Sequence, residues 1–468
     1  MKYIGPFLRL NSLTLDNIKT QIFHLSKETI KTLALNSKCG IQISYKEFIK
    51  NIPNFDNNTK SSFYPLLCLY KKASPKITFK HDKMLWNESK FKKEVDIPSN
   101  AFLTLSLLEL SEYYKQFENI KNSKYKLAQI YTELAKKQLE FYGNHLRNQE
   151  GLFVNMLDVA DPLMGDYKFE DKAKNFKFSH QAFMMCAYYK CSLSLEEDEG
   201  KSFKLFAYDI LKMFMTHREE LYSLPYSEIV KLCLALNIFY IYSREFEVKT
   251  LLMDLNDLLR DSHDEYSQST SGKKLDVDLM LFLNYYLMFK NTSITKYKDD
   301  SEKLFTKLSR HYNSDVQNLF KDSDSKEISY SSNEIILYFI MTYISAIHNQ
   351  DDDDINRMCV GLYKNSVVNS GIILSWPDSP SLDDPERYMN FSSKSEDLLD
   401  EQHFKLPSIG TPKTLELASI FAKKITYVKK KDMFKQSKTS FDSTKNMHLF
   451  YLFIMLEKHL DIKREDKE

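Results

Sequence analysis

Six times along the chain a helix-period run is followed, across a short polar break, by a second one. The pairs are 98–118 with 123–147, 179–195 with 198–221, 226–243 with 245–262, 275–290 with 296–311, 332–348 with 351–368, and 412–427 with 444–460. The first member is usually apolar nearly all round, as in "LDVDLMLFLNYYLMFK", while the second carries Lys, Glu and Asp around one apolar stripe. A helix without a wet face has to be enclosed by other helices, and a striped helix sits outside them. Six such hairpins predict a double ring, with the apolar helices inside.

The glycine content points the same way. Only 10 of 468 residues are glycine, so hairpin turns and phosphate-cradling loops are few, and neither Gly-x-Gly-x-x-Gly nor a Gly-x-x-x-x-Gly-Lys loop occurs. With 43% apolar and 13% aromatic residues the chain can fill a large core. A net charge of +1 gives no electrostatic case for nucleic acid. The longest apolar stretch, "IILYFIMTYISAI", falls short of the roughly 20 residues of a membrane span, so no membrane partner is expected. The N-terminus lacks the apolar core of a secretory signal, and the six cysteines contain no Cys-x-x-Cys pair. A cytoplasmic protein with reduced core cysteines is the expectation.

Residues 1–95 differ in kind: one helix over about 13–36, then a mixed stretch in which "PKITFKHDKMLW" alternates as a short strand pair. They read as an N-terminal extension, a lid or wall on a helical-hairpin toroid over 96–468. Ser179 before "HQAF" and Thr411 before Pro412 have the chemistry of helix caps. The hairpin series, with "GLFVNMLD" following its first pair, resembles the (α/α)6 toroid of the six-hairpin glycosidase and sugar-epimerase superfamily, over about residues 98–460. That resemblance implies an all-α toroid and a sugar site in a funnel at one end of the ring. The matching loops are 151–171 and 370–408.

Those loops hold the candidate chemistry. In "GLFVNMLDVADPL", Asp158 and Asp161 stand where the resemblance places funnel residues; alternatively Asp158 caps local backbone and Asp161 opens a turn at Pro162. In "SGIILSWPDSPSLDDPERYMNF", Trp376 offers an aromatic platform, Asp378 and Asp383 offer carboxylates, and Arg387 and Tyr388 offer polar contacts. The other reading is a solvated loop with Trp376 as its anchor in the core. Glycoside cleavage would need one carboxylate from each loop, roughly 6.5–9.5 Å apart for inversion or about 5 Å for retention. His180 is either a funnel-facing base or a satisfied helix-end histidine. No His-Glu-x-x-His occurs and "QDDDDIN" suits a helix start, so no metal and no cofactor are expected. The basic run 423–438 reads as a solvated connector. Two functions stand side by side: a carbohydrate-active enzyme, hydrolase or epimerase-like, using carboxylates in a funnel-shaped cleft, or a non-catalytic helical scaffold for a protein or small ligand.

Overall fold

The computed structural model describes residues 13–50, 52, 63–80, 83–161, 167–172, 175–269, 275–321, 325–389, 404, 406 and 408–460. Twelve helices carry the architecture. In chain order they are α1 (Leu15–Leu35), α2 (Ile97–Lys115), α3 (Asn122–His145), α4 (Phe178–Ser194), α5 (Glu197–Thr216) and α6 (Tyr226–Ser243). Then follow α7 (Phe246–Ser269), α8 (Leu275–Thr292), α9 (Thr295–Ser309), α10 (Ser332–His348), α11 (Asp353–Leu362) and α12 (Ser443–Met455). The even-numbered helices form a closed inner ring: α2 packs on α4, α4 on α6, and so on through α8, α10 and α12 back to α2. Each odd-numbered helix lies outside one of them, and the inner helices are buried on nearly every side, as their apolar sequences require.

Five outer helices follow their inner partners in the chain, as the hairpin pattern predicts. The sixth does not. Residues 412–427 are not a helix: Pro412–Leu415 makes a single turn, Glu416 adopts a left-handed conformation, and the rest is extended. Lys424–Val428 alternates buried and part-exposed residues, the period-two signature of a strand, and pairs with Glu327–Ser331 and Met433–Lys438. The basic run is thus a β-hairpin, not an irregular connector. The sixth outer position is taken by α1, packed on α12. It starts with a capping box between Thr14 and Asn17, and Ile18, Ile22, Leu25, Ile30 and Leu33 are buried along its length. Lys19 meets Glu457 at 3.2 Å and Thr29 donates to the Ser419 carbonyl at 2.6 Å.

Ring closure is aided by an antiparallel sheet. Strand β1 (Gly40–Gln42) pairs with β2 (Leu66–Ala73), while β3 (Ile77–Lys80) and β4 (Lys83–Trp86) form the expected hairpin. Strand β5 (Lys92–Val95) pairs with β2 and runs directly into α2; Phe441–Asp442 also pairs with β2 and runs directly into α12. The first and last inner helices therefore start side by side. At the other end of these helices the ring is plugged. Buried Glu109 accepts from Tyr242 at 2.7 Å and lies 3.3 Å from Lys190 and 3.2 Å from Lys458.

Three cap expectations resolve differently. Asp352 caps α11, accepting from the backbone N–H of Asp354 and Ile355, as the acidic run suggested. Ser179 is not a cap: α4 begins one residue earlier, after Lys177. Thr411 holds the N-cap position of Pro412–Leu415 without a side-chain bond. All six cysteines are buried and free, their thiols pushed up by burial.

A candidate site in the mouth of the ring

The open end of the ring is where the inner helices begin. A cavity of about 370 Å³ lies there, and all six inner helices line it from their first two turns: Ser99 and Phe102, His180 and Phe183, Lys231, Asp276, Asn333, and Lys445 with His448. The volume falls within the usual range of small-molecule sites. Its apolar floor includes Phe102, whose ring lies 4.6 Å from that of Phe183 and 6.1 Å from that of His448.

Two of its charged groups are committed to structure. Asp96 caps α2, accepting from the Ser99 backbone at 3.2 Å and the Ser99 hydroxyl at 2.6 Å, and burial raises its pKa. Lys71 donates to buried Glu94 at 2.5 Å. Others are free. Lys177, Lys231 and Lys445 make no ion pair within 4 Å among the described residues. His180 and His448 likewise have no hydrogen-bond partner among them. Burial brings His180 down to about 4, with Lys177 and Lys231 acting in the same direction and Glu228 opposing. Burial takes His448 down to about 3, aided by Lys445 and Lys231. Both imidazoles are therefore neutral at pH 7. Two further polar atoms on the wall, the Ser443 hydroxyl and the Asn333 side-chain amide oxygen, are buried without a partner among the described residues. Buried polar groups are nearly always satisfied, so these are positions that expect a ligand or solvent atom.

Of the residues singled out in the sequence whose side chains are described, His180 alone lines this mouth. Asp158 lies nearby on the strand Met156–Asp158, which pairs with β5, but it is occupied: it accepts from the Tyr70 hydroxyl and the Ala160 backbone. Asp161 is exposed beyond it. From that loop it is Asn155 that reaches the cavity, its side-chain oxygen accepting from the Ile97 backbone at 2.9 Å. The turn before it needs Gly151, at φ +82°.

The 370–391 loop goes elsewhere. Trp376 is 0% exposed, its indole donating to the Phe404 carbonyl at 2.6 Å, so it presents no face on which a sugar could stack. It is an anchor. Arg387, 2% exposed, donates to the Pro380 carbonyl at 2.7 Å and lies over the Phe404 ring. Asp378 is exposed, its backbone carbonyl 2.9 Å from His24 of α1, and it borders a separate hollow with Glu28, Trp86 and Pro412. Asp383 is exposed, its carboxyl held below the usual range by Ser381. The side chain of Tyr388 lies outside the described residues, as do Pro162 and residues 390–403. Asp384 and Glu386 both meet Lys124 at 2.9 Å, just past the C-terminal end of α2, whereas Asp158 sits beside its N-terminal end. Although residues 372–374 run back toward Asn446 at the start of α12, Asp384 and Glu386 are separated from Asp158 by the length of α2, roughly 28 Å for its 19 residues. They do not share a cleft.

The residues that sequence reasoning passed over, His448, Lys177, Lys231, Lys445, Asp276, Asn333 and Ser443, had a usable signal. Most are polar residues in the first two turns of otherwise apolar helices, which in a ring of parallel inner helices must face one mouth. Among the described residues no cluster of His, Cys, Asp or Glu could hold a metal, and no helix is long and apolar enough to cross a membrane.

Comparison with solved structures finds this same fold. A D-mannose isomerase superposes with a TM-score of 0.50 at 8% identity, over 83% of this chain and 91% of the other. A sugar epimerase from a ruminal bacterium superposes with a TM-score of 0.51 at 11% identity, over 93% of this chain and 100% of the other. No protein-family model and no curated protein sequence matches the chain. The fold is an (α/α)6 toroid of helical hairpins.

Proposed function

We propose that the protein converts a carbohydrate at the mouth of the ring by proton transfer, as an isomerase or epimerase, with His180 and His448 as the transferring groups. The observation that carries this reading is the pair of neutral imidazoles that share one cavity with Asn333 and Ser443, none of the four held by a side-chain hydrogen bond among the described residues at the ring nitrogens, the Asn333 amide oxygen or the Ser443 hydroxyl. A neutral imidazole can take a proton from the carbon next to a sugar carbonyl, and the imidazolium formed can return it to the neighbouring carbon as the hydroxyl proton passes between the two oxygens, giving the isomer; delivery to the other face, giving the epimer, would need the second ring in its protonated form. The two solved structures of like fold bear the names of a mannose isomerase and a sugar epimerase, which supports this class of chemistry. A hydrolytic reading has less support. Of the two carboxylates on the wall, Asp96 is occupied in capping α2, which leaves Asp276 without a free counterpart there.

The test is deuterium exchange. Aldoses and ketoses incubated with the protein in heavy water should gain deuterium next to the carbonyl, read by proton NMR. His180→Gln and His448→Gln should each slow exchange by about 100-fold or more. Wild-type rates in both variants, or no exchange on any sugar, would overturn the reading. Release of reducing ends from an oligosaccharide by His180→Gln at the wild-type rate would shift it to hydrolysis.

A further inference from the structure

We propose that the molecule accepted at the mouth is an anionic sugar, one carrying a phosphate or a carboxylate, and that Lys177, Lys231 and Lys445 receive its charge. This rests on the reading of the mouth as a carbohydrate site and adds the substrate class. The cavity wall sets four lysines against two aspartates, in a chain whose overall charge is nearly balanced. Lys71 and Asp96 are already engaged with Glu94 and Ser99, which leaves three lysines that have no ion pair among the described residues, against Asp276.

Lys231 adds a specific point. It is more than half-buried, burial lowers its pKa, and the Lys177 charge adds to that, while Glu228 and Asp276 oppose. A partly buried ammonium that shares its wall with two others, against the carboxylates of Glu228 and Asp276, gains from a further anion placed among them. The backbone contributes in the same sense. All six inner helices present their N-terminal ends to the mouth, where, beyond the single N–H groups met by Asp96, Glu228, Ser331 and Asp442, the helix dipole favours negative charge. The second, independent sign of a ligand is the pair of buried polar atoms without partners: Ser443, 0% exposed, and Asn333, 7% exposed. A hydroxyl can donate to an anion's oxygen, and an amide oxygen can accept from a sugar hydroxyl.

An anionic ligand would also act on the histidines. Negative charge placed among Lys177, Lys231 and Lys445 counters the lysine contribution that lowers His180 and His448, and so lifts both toward the pH at which acid–base catalysis works best. A neutral sugar lacks this effect.

The experiment is isothermal titration with neutral hexoses, the corresponding hexose phosphates, uronic acids and inorganic phosphate. We expect at least one charged series to bind about tenfold or more tightly than its neutral parent, with the advantage shrinking as salt is added. Lys177 is exposed, so Lys177→Met should remove much of that advantage without affecting folding, and Lys231→Met and Lys445→Met should do the same. Lys298→Met, near the start of the outer helix α9 and so at the opposite end of the ring, should leave it intact. The phosphate and uronate arms identify which anion the site takes. Equal or tighter binding of neutral sugars, or a preference that survives all three lysine variants, overturns the proposal. Tight binding of anionic sugars without deuterium exchange keeps it and overturns proton transfer; exchange on neutral sugars without an anion preference does the reverse.

Discussion

His180 and His448 connect the mouth to the stability of the whole protein. An unfolded histidine titrates near 6.5, whereas in the fold these two lie at about 4 and about 3, so between those values the unfolded chain binds more protons. Their contribution is fully present above pH 6.5 and is lost as pH falls toward 4. Glu28, Glu94, Glu109 and Glu386 are held below the usual carboxylate range by neighbouring lysines and histidines that outweigh their burial, so their loss begins only at lower pH. Urea unfolding should therefore show stability falling between pH 6.5 and 4.5, and the double variant His180→Gln/His448→Gln should show a shallower fall. An unchanged slope would mean that the two rings are not neutral in the native state.

Single contacts between elements are where the sixth hairpin was assembled. Lys27 of α1 meets Glu386 at 2.6 Å, both side chains 2% exposed, and this pair fastens the 370–391 loop to the outer helix. Lys27→Met removes one of the two lysines on Glu386 while Lys124 stays at 2.9 Å, so it should cost about 1–3 kcal/mol in denaturant unfolding. Replacing both partners with apolar residues should restore most of it, and a double variant as weak as the single would refute the pairing. Glu416, at φ +49°, ends the single turn Pro412–Leu415 in a left-handed conformation that glycine adopts without penalty. Glu416→Gly should stabilise the protein by about 0.5–1 kcal/mol; a loss would show that the side chain supplies a contact that outweighs the strain.

For the molecule as a whole, α1 is the element on which closure depends. Deleting residues 1–36 would expose the outer side of α12 and remove the buried Ile18, Ile22, Leu25, Ile30 and Leu33. At about 1.5–3 kcal/mol for each large apolar side chain, that loss is comparable to the entire stability of a typical domain. The truncated chain should lack a cooperative melting transition by circular dichroism. A transition at the full-length Tm would make α1 an appendage rather than part of the ring.

Local information was enough for five of the six hairpins, because each inner helix is followed at once by the outer helix that covers it, and the 3.6-residue period of both is visible in "SHQAFMMCAYYKCSLSL" and its neighbours. It also gave His180, the β3–β4 pair and the cap at Asp352. The sixth hairpin was beyond its reach, since α1 and α12 lie at opposite ends of the chain and no short connection marks them as partners. "KITYV" was misread because a short β-branched and aromatic run beside apolar residues satisfies helix and strand patterns alike. Trp376 and its loop looked functional by composition, yet only packing decides whether a tryptophan faces a ligand or the core. The mouth itself is a tertiary object: His180, Lys231, Asp276, Asn333 and His448 lie far apart in sequence and share a cavity because closing the ring brings the starts of six parallel inner helices to one end.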